Sequence, residues 1–335
     1  MGSRENERTL RLAGSLVVLV FLAAFPALGF NAYITQIMDM LGITLILILG
    51  LNLIFGFAGQ ISISQAGFYG LGAYTASLLQ VKLGVPFPLA ILAGIACPAA
   101  LAAILGTPIL KLRGYYLALA TIGLGTMLFE GFQQWQDVTG GPIGVMGIKR
   151  PEMLDNDILY YYLVWIMAVA AFLFARNLTS CSIGRAWVAV RENEMAAAAM
   201  GINAARYKLI AFILSAAMAG LAGGLYAFLN RYISPDSFAL SYSMVLIATM
   251  VIGGAGTLGG AIVGTILVIV LPQVAQSFAD YSVLVFGLIL VVVLRFMPRG
   301  VWGTIRRYVA DHRDGKAAAE RLAPSETHPI TETVP

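Results

Sequence analysis

Five polar, uncharged side chains, Asn52, Gln60, Ser62, Ser64 and Gln65, gather around a break marked by Gly56 and Gly59. Their surroundings are almost wholly apolar. Where a helix is interrupted at membrane depth, its freed amides and the positive end of the next helix can hold a carboxylate. If Ser62 or Ser64 caps the helix that follows, its first turn presents such amides to a substrate. The other reading is that these groups only satisfy the broken backbone, and the two stand level on the residues alone. A second glycine-interrupted stretch, Gly253 to Gly264, lies in the other half of the chain.

Other familiar chemistries lack their residues. The glycine cluster from Gly140 to Gly147 is not followed by the Lys-Ser/Thr of a phosphate-binding loop, so the sequence carries no ATPase motif of its own. The only histidines, His312 and His328, fall in a polar tail, and no metal site is expected from them. Cys97 lies in an apolar run and Cys181 in a polar loop, which does not suggest a disulfide. Asp39 and Glu130 are the carboxylates nearest the apolar runs, and each reads as an interfacial group near a membrane edge.

The elements that must position these residues are membrane spans. The chain is 59% hydrophobic and 11% charged, where a soluble domain carries about a quarter charged residues. Apolar runs approaching the ~20 residues needed to cross a bilayer recur along it. They predict spans near 12–30, 37–57, 64–81, 86–108, 114–133, 158–175, 208–229, 242–255, 258–272 and 281–297. The fold class is therefore all-α: a polytopic helical integral membrane protein of about ten transmembrane helices, some broken by glycine. It divides into a cytosolic segment 1–11, a transmembrane domain 12–297 and a polar, disordered tail 298–335. The first run also resembles a signal peptide, but its length to Phe30 favours an uncleaved anchor.

Lys and Arg are retained on the cytoplasmic side. With both termini cytosolic, only Lys82, Lys149, Arg150 and Arg231 of the 21 Lys and Arg fall elsewhere. The longest internal cytosolic excursion is then 176–208. Its core, Arg191 to Gly201, consists of strong helix formers ended by a glycine stop. Such an exposed helix between spans suits docking of a cytosolic partner, with a solvated connector as the plainer reading. Small residues also recur at helical spacing. Ala66, Gly70, Ala73 and Ser77 form one stripe, and Ala216, Gly220, Gly223 and Ala227 another, each able to admit a neighbouring helix closely.

Taken in order, these residues resemble a known family. Gly50-Leu51-Asn52-Leu53 leads through Gly56 and Ala58-Gly59-Gln60 to Ser62, Ala66, Phe68, Gly70 and Gly72-Ala73-Tyr74. Arg113-Gly114-Tyr115-Tyr116, Thr139-Gly140-Gly141, Gly184-Arg185-Ala186, Arg191-Glu192-Asn193-Glu194, Gly201-Ile202 and Gly253-Gly254 with Gly256-Thr257-Leu258 follow. From about Leu41 to Arg299 the chain is similar to permease subunits of bacterial ATP-binding-cassette importers for branched-chain amino acids, in particular the LivM-like member of the permease pair. The resemblance implies a multi-pass subunit of the bacterial inner membrane, working by alternating access. Its implied partners are a LivH-like second permease, two cytosolic ATPase subunits that use the ATP, and a periplasmic binding protein. It further implies that the loop helix couples to the ATPase, with Arg185, Arg191, Glu192, Glu194 and Gly201 as contact residues. Urea or short-amide permeases look much alike, and an ion-coupled transporter acting alone is the alternative class. The chain departs from the family pattern at Glu194, one place early, and at Ala261, where relatives often carry proline.

Overall fold

The computed structural model describes residue 25 and residues 31–112, 114–275 and 300–304. Apart from Phe25 and residues 300–304, the expected spans at 12–30 and 281–297 and both terminal segments lie outside the described residues. The eight expected spans between them each coincide with a helix. These are α1 (Ala32–Leu51), α2 (Gln65–Leu83), α3 (Phe87–Ile109), α4 (Tyr115–Gln134), α5 (Asp157–Ser180), α8 (Ala204–Asn230), α9 (Leu240–Gly253) and α10 (Leu258–Ala275). Two further helices, α6 (Ser182–Glu192) and α7 (Glu194–Ala199), fill the loop between α5 and α8. Six of the helical stretches are long and apolar enough to cross a membrane. The chain is thus a multi-pass helical membrane protein.

The exception to the all-α expectation is small. Val145–Met146 pairs antiparallel with Tyr232–Ile233, a two-residue ladder joining the α4–α5 and α8–α9 connections. Pairing satisfies backbone groups that the short connections cannot satisfy helically, and it is too brief for any alternating sequence signal.

Helices α1 and α8 form the centre. Of their most apolar windows, 83% and 61% is buried, against 33% for α3, α4 and α5. Helix α8 packs on α1, α2 and α3, and the contact between α8 and α2 is backbone to backbone. Gly220 lies against Gly72 on one side and the Gly94 carbonyl on the other, while Gly223 lies against the Tyr69 carbonyl. The Ala216–Gly223 stripe thus meets two helices. On α2, Gly70 faces Phe132 and Phe238, while Gly72, which is not in the sequence stripe, meets Gly220, and Ala73 lies beside Gly223. Ala66, Ala73 and Ala216 are fully buried.

Outward faces differ in character. Helix α3 exposes Leu89, Leu92, Ala96, Ala100 and Ile104, and α5 exposes Ile166, Ala170, Leu173 and Phe174, as a lipid-facing surface requires. On the other side, Arg150 closes the C-terminal end of α8. It donates to the carbonyls of Phe228 (2.8 Å) and Leu229 (2.9 Å), pairs with Asp157 (2.8 Å) and lies 4.2 Å from the Tyr160 ring centroid. A cation there satisfies the last carbonyls and complements the helix dipole.

Candidate functional site

Helix α1 does not simply stop. At Asn52–Phe57 its ladder widens into a π-helical turn, the form in which helices often carry a functional irregularity. The widening sends the Ala58 amide back to Leu53 (3.1 Å) and the Gln60 amide to Ile54 (3.0 Å). The Gly56 carbonyl is left to accept from outside the helix, and it does so from Arg191 Nη1 at 2.7 Å.

Asn52 spans the gap to the second break. Its Nδ2 donates to the Thr257 carbonyl and its Oδ1 accepts from the Gly256 amide, both at 2.9 Å. One side-chain amide thereby replaces a peptide partner for the chain between α9 and α10. Gly256 sits there at φ +77°, a left-handed conformation glycine adopts freely. Thr257 completes the turn by donating to the Gly254 carbonyl (2.9 Å) and accepting from the Gly260 amide (3.1 Å) at the start of α10. The two glycine-broken stretches are therefore one structure.

The remaining polar residues tie this structure to its neighbours. Gln65 accepts from Ser215 Oγ on α8 (3.0 Å), and its amide nitrogen faces the Leu47 and Ser215 carbonyls at longer range. Gln60 donates to the Lys208 carbonyl (3.2 Å), while its Oε1 is buried without a partner. Ser62 and Ser64 bond each other at 3.2 Å. Ser64 occupies the N-cap position of α2, yet neither serine caps it with a side chain. The Ala66 amide is instead taken by Ser243 on α9 (3.0 Å), and the Ile63 amide by Thr121 on α4 (3.1 Å). Asn52, Gln60, Ser62, Ser64 and Gln65 are all buried, and apart from the Ser62–Ser64 pair each reaches a different partner in a neighbouring segment. In this conformation their groups fasten helices to one another.

Asn52→Ala is accordingly expected to destabilise the chain, because it leaves the Gly256 amide and Thr257 carbonyl unpaired out of reach of water. Each such orphan costs about 1–3 kcal/mol. Thermal unfolding of the detergent-solubilised chain should show a lowered Tm, and a wild-type Tm would count against Asn52 as the clasp.

On the loop side, α6 is held by Trp187, which is 1% exposed and donates from Nε1 to the Tyr207 carbonyl (2.8 Å). Asn193 then breaks the helix and caps α7, accepting from the amides of Met195 and Ala196 at 3.0 Å each. The expected single helix from Glu192 is thus two, with Glu192 at the end of α6 and Gly201 closing the turn after α7 at φ +81°. Glu194 pairs with Lys208 at 2.7 Å, strapping α7 to the start of α8. Glu192 pairs with Arg191 at 2.8 Å, and Arg185 is exposed. Arg191 reaches furthest inward. Its stem lies against Gly59, its guanidinium holds Gly56, and a Cβ placed on Gly256 would sit 3.0 Å from Nη1.

Several participants left little trace in the sequence. Ser215 and Ser243 are single polar residues whose partners lie 150 and 177 positions away, and Trp187 is a lone aromatic in a polar loop. Met195 and Met200, 79% and 82% exposed, flank the alanine run of α7, and two large apolar side chains on a polar loop were the one available signal.

Residues 33–294 match the profile of the family described as "Branched-chain amino acid transport system / permease component". The chain belongs to this family. It is similar to the high-affinity branched-chain amino acid transport system permease protein LivM of Salmonella typhimurium, at 33% identity over 85% of this chain and 73% of the relative. LivM of Escherichia coli is similar to the same degree. The autoinducer 2 import system permease protein LsrC of Salmonella paratyphi B is 27% identical over 86% of each chain. No solved structure matches the chain. As a permease it contributes membrane helices to a transport system, which agrees with the six membrane-length helices among the described residues.

Proposed function

We propose that this chain is the LivM-like half of the membrane pathway of an importer that carries branched-chain amino acids across the bacterial cytoplasmic membrane. Separate ATPase subunits on the cytosolic side drive it, a second, LivH-like permease completes the pathway, and a periplasmic binding protein delivers the substrate. The chain itself binds no ATP.

The observation that carries the mechanism is the position of Arg191. It belongs to the loop helix α6, yet its guanidinium holds the carbonyl of Gly56 in the α1 break and touches the α9–α10 break at Gly256. A push on the loop is thus delivered to the two least regular points of the bundle. Next to it, α7 presents Met195 and Met200 to the cytosol, with Arg185 and Glu192 at the rim. Exposed, flexible methionines framed by charge suit a docking surface. Binding of nucleotide can shift the helices between outward and inward openings only if the motor holds the loop differently in the two states.

The importer reconstituted with its partners should take up leucine only with ATP, and the purified chain alone in liposomes should take up none. Uptake by the chain alone would establish an ion-coupled or facilitative carrier instead. The likeness to LsrC supports a second substrate reading, autoinducer 2. Competition of labelled leucine uptake by isoleucine, valine, urea, short amides and autoinducer 2 separates these readings.

A further inference from the structure

Helix α4 carries an outward face that neither lipid nor its neighbours among the described residues explain. Its buried side, Leu117, Thr121, Leu124, Gly125, Leu128 and Phe132, docks on α2 and the segment before it. Leu128 lies against Gly67, Phe132 against Gly70, and Gly125 against Ser64. The opposite side exposes Tyr116, Leu119, Gly123, Thr126, Met127, Glu130 and Gln134, residues spaced three and four apart along a single helical face.

The middle of that face is the anomaly. At about 1.5 Å per residue, Gly123 and Thr126 lie roughly 12 and 16 Å along a helix of roughly 30 Å, near mid-membrane. A Cβ on Gly123 or on Gly131 would meet nothing within 4 Å, so among the described residues no helix is packed there to explain a bare backbone. Thr126, Glu130 and Gln134 have no hydrogen-bond or ion-pair partner among the described residues. Helices α3 and α5 supply the contrast within the same molecule, since the middle of their outward stripes is apolar and exposed polar side chains such as Thr107, Arg176 and Asn177 come only toward the ends. A carboxylate in a membrane helix is costly and is kept where it faces water or a partner charge.

We propose that this outward stripe of α4 is the subunit's wall of the water-filled translocation path, and that the Glu130 carboxylate receives the ammonium group of a zwitterionic amino acid passing along it. The choice of ligand rests on the substrate reading above; the assignment of the wall does not. Gly123 leaves room for the solute, and the Thr126 hydroxyl and Gln134 amide replace part of its water shell. The inner side of α4 is held through Ile63, whose amide donates to Thr121, and through Ser64, which lies against Gly125.

The test uses the complete importer in a background freed of native thiols by Cys97→Ala and Cys181→Ser. Gly123→Cys and Thr126→Cys are labelled with a membrane-impermeant sulfonated thiol reagent, alongside Ala96→Cys on α3 and Ile166→Cys on α5. The expected result is labelling at least tenfold faster at the α4 sites, slowed by saturating leucine. Equal rates at all four sites would place α4 against lipid and overturn the wall, whatever the solute. Glu130→Gln should raise the KM for leucine at least tenfold, with Glu130→Asp recovering part of the loss. A wild-type KM in Glu130→Gln overturns the ammonium contact. Failure of the substrate reading is distinguished because it is seen in the unsubstituted importer, which would then carry no leucine.

Discussion

Gly223→Leu is expected to leave no folded permease, and even Gly223→Ala should lower the Tm sharply. A Cβ at this position would run into the Tyr69 carbonyl oxygen and come within 2.8 Å of the Ala73 nitrogen. Both obstacles are backbone of α2, so no side-chain rotation relieves them. Overpacking a core in which side chains can shift costs about 1–3 kcal/mol, and separating two helices costs more because the whole interface opens. The interface is also shared. Gly72 and Gly220 meet a turn away, and Gly220 in turn touches α3 at Gly94 and Pro98. Membrane helices have no hydrophobic drive toward one another and depend on close packing and interhelical hydrogen bonds, so widening this crossing removes much of what holds α2, α3 and α8 together. Gly131→Leu is the matched control, since a Cβ there would meet nothing within 4 Å among the described residues. Size-exclusion profiles and thermal unfolding in detergent should show an aggregated or absent Gly223→Leu and a near-native Gly131→Leu. A monodisperse Gly223→Leu with unchanged Tm would refute the backbone-contact account.

Arg191→Met should separate ATP hydrolysis from transport. The methionine keeps much of the apolar stem over Gly59 but loses the bond to the Gly56 carbonyl at 2.7 Å and the pair with Glu192. A hydrogen bond to a charged donor is worth roughly 1.5–3 kcal/mol, and each 1.4 kcal/mol is a factor of ten. If that bond is what transmits loop movement to the glycine breaks, leucine transported per ATP should fall by roughly ten- to a hundredfold in the reconstituted importer while hydrolysis continues. Arg191→Lys should be intermediate, because a single ammonium lacks the fork that holds Gly56 and Glu192 together. Loss of ATPase and transport in equal proportion would assign Arg191 to docking alone. Normal values for both would remove it from the coupling route. Asn52→Ala provides the comparison from the other side of the same joint, where the clasp to Gly256 and Thr257 is weakened and the loop contact is kept.

Membrane residence, the course of the helices and the two breaks are all legible in the order of residues. These are local properties, because apolar run length, the absence of alternation and glycine act within one or two turns. Asn52, Gly56 and Gly256 also stand out there against an apolar background. What those residues touch is settled by packing. Asn52 finds its partners 204 and 205 positions away, and Ser243 caps a helix begun 177 positions earlier. The serines that looked like caps for α2 bond each other instead, because a hydroxyl from a neighbouring helix reached the amide first. Gly72 meets α8 while Gly70 faces Phe132 and Phe238, because which side of α2 faces α8 is set by packing and not by spacing along α2. The same reason governs α4. Glu130 read alone is an interfacial carboxylate, and it becomes part of an unpartnered polar stripe only once packing on α2 has fixed which side of α4 faces out.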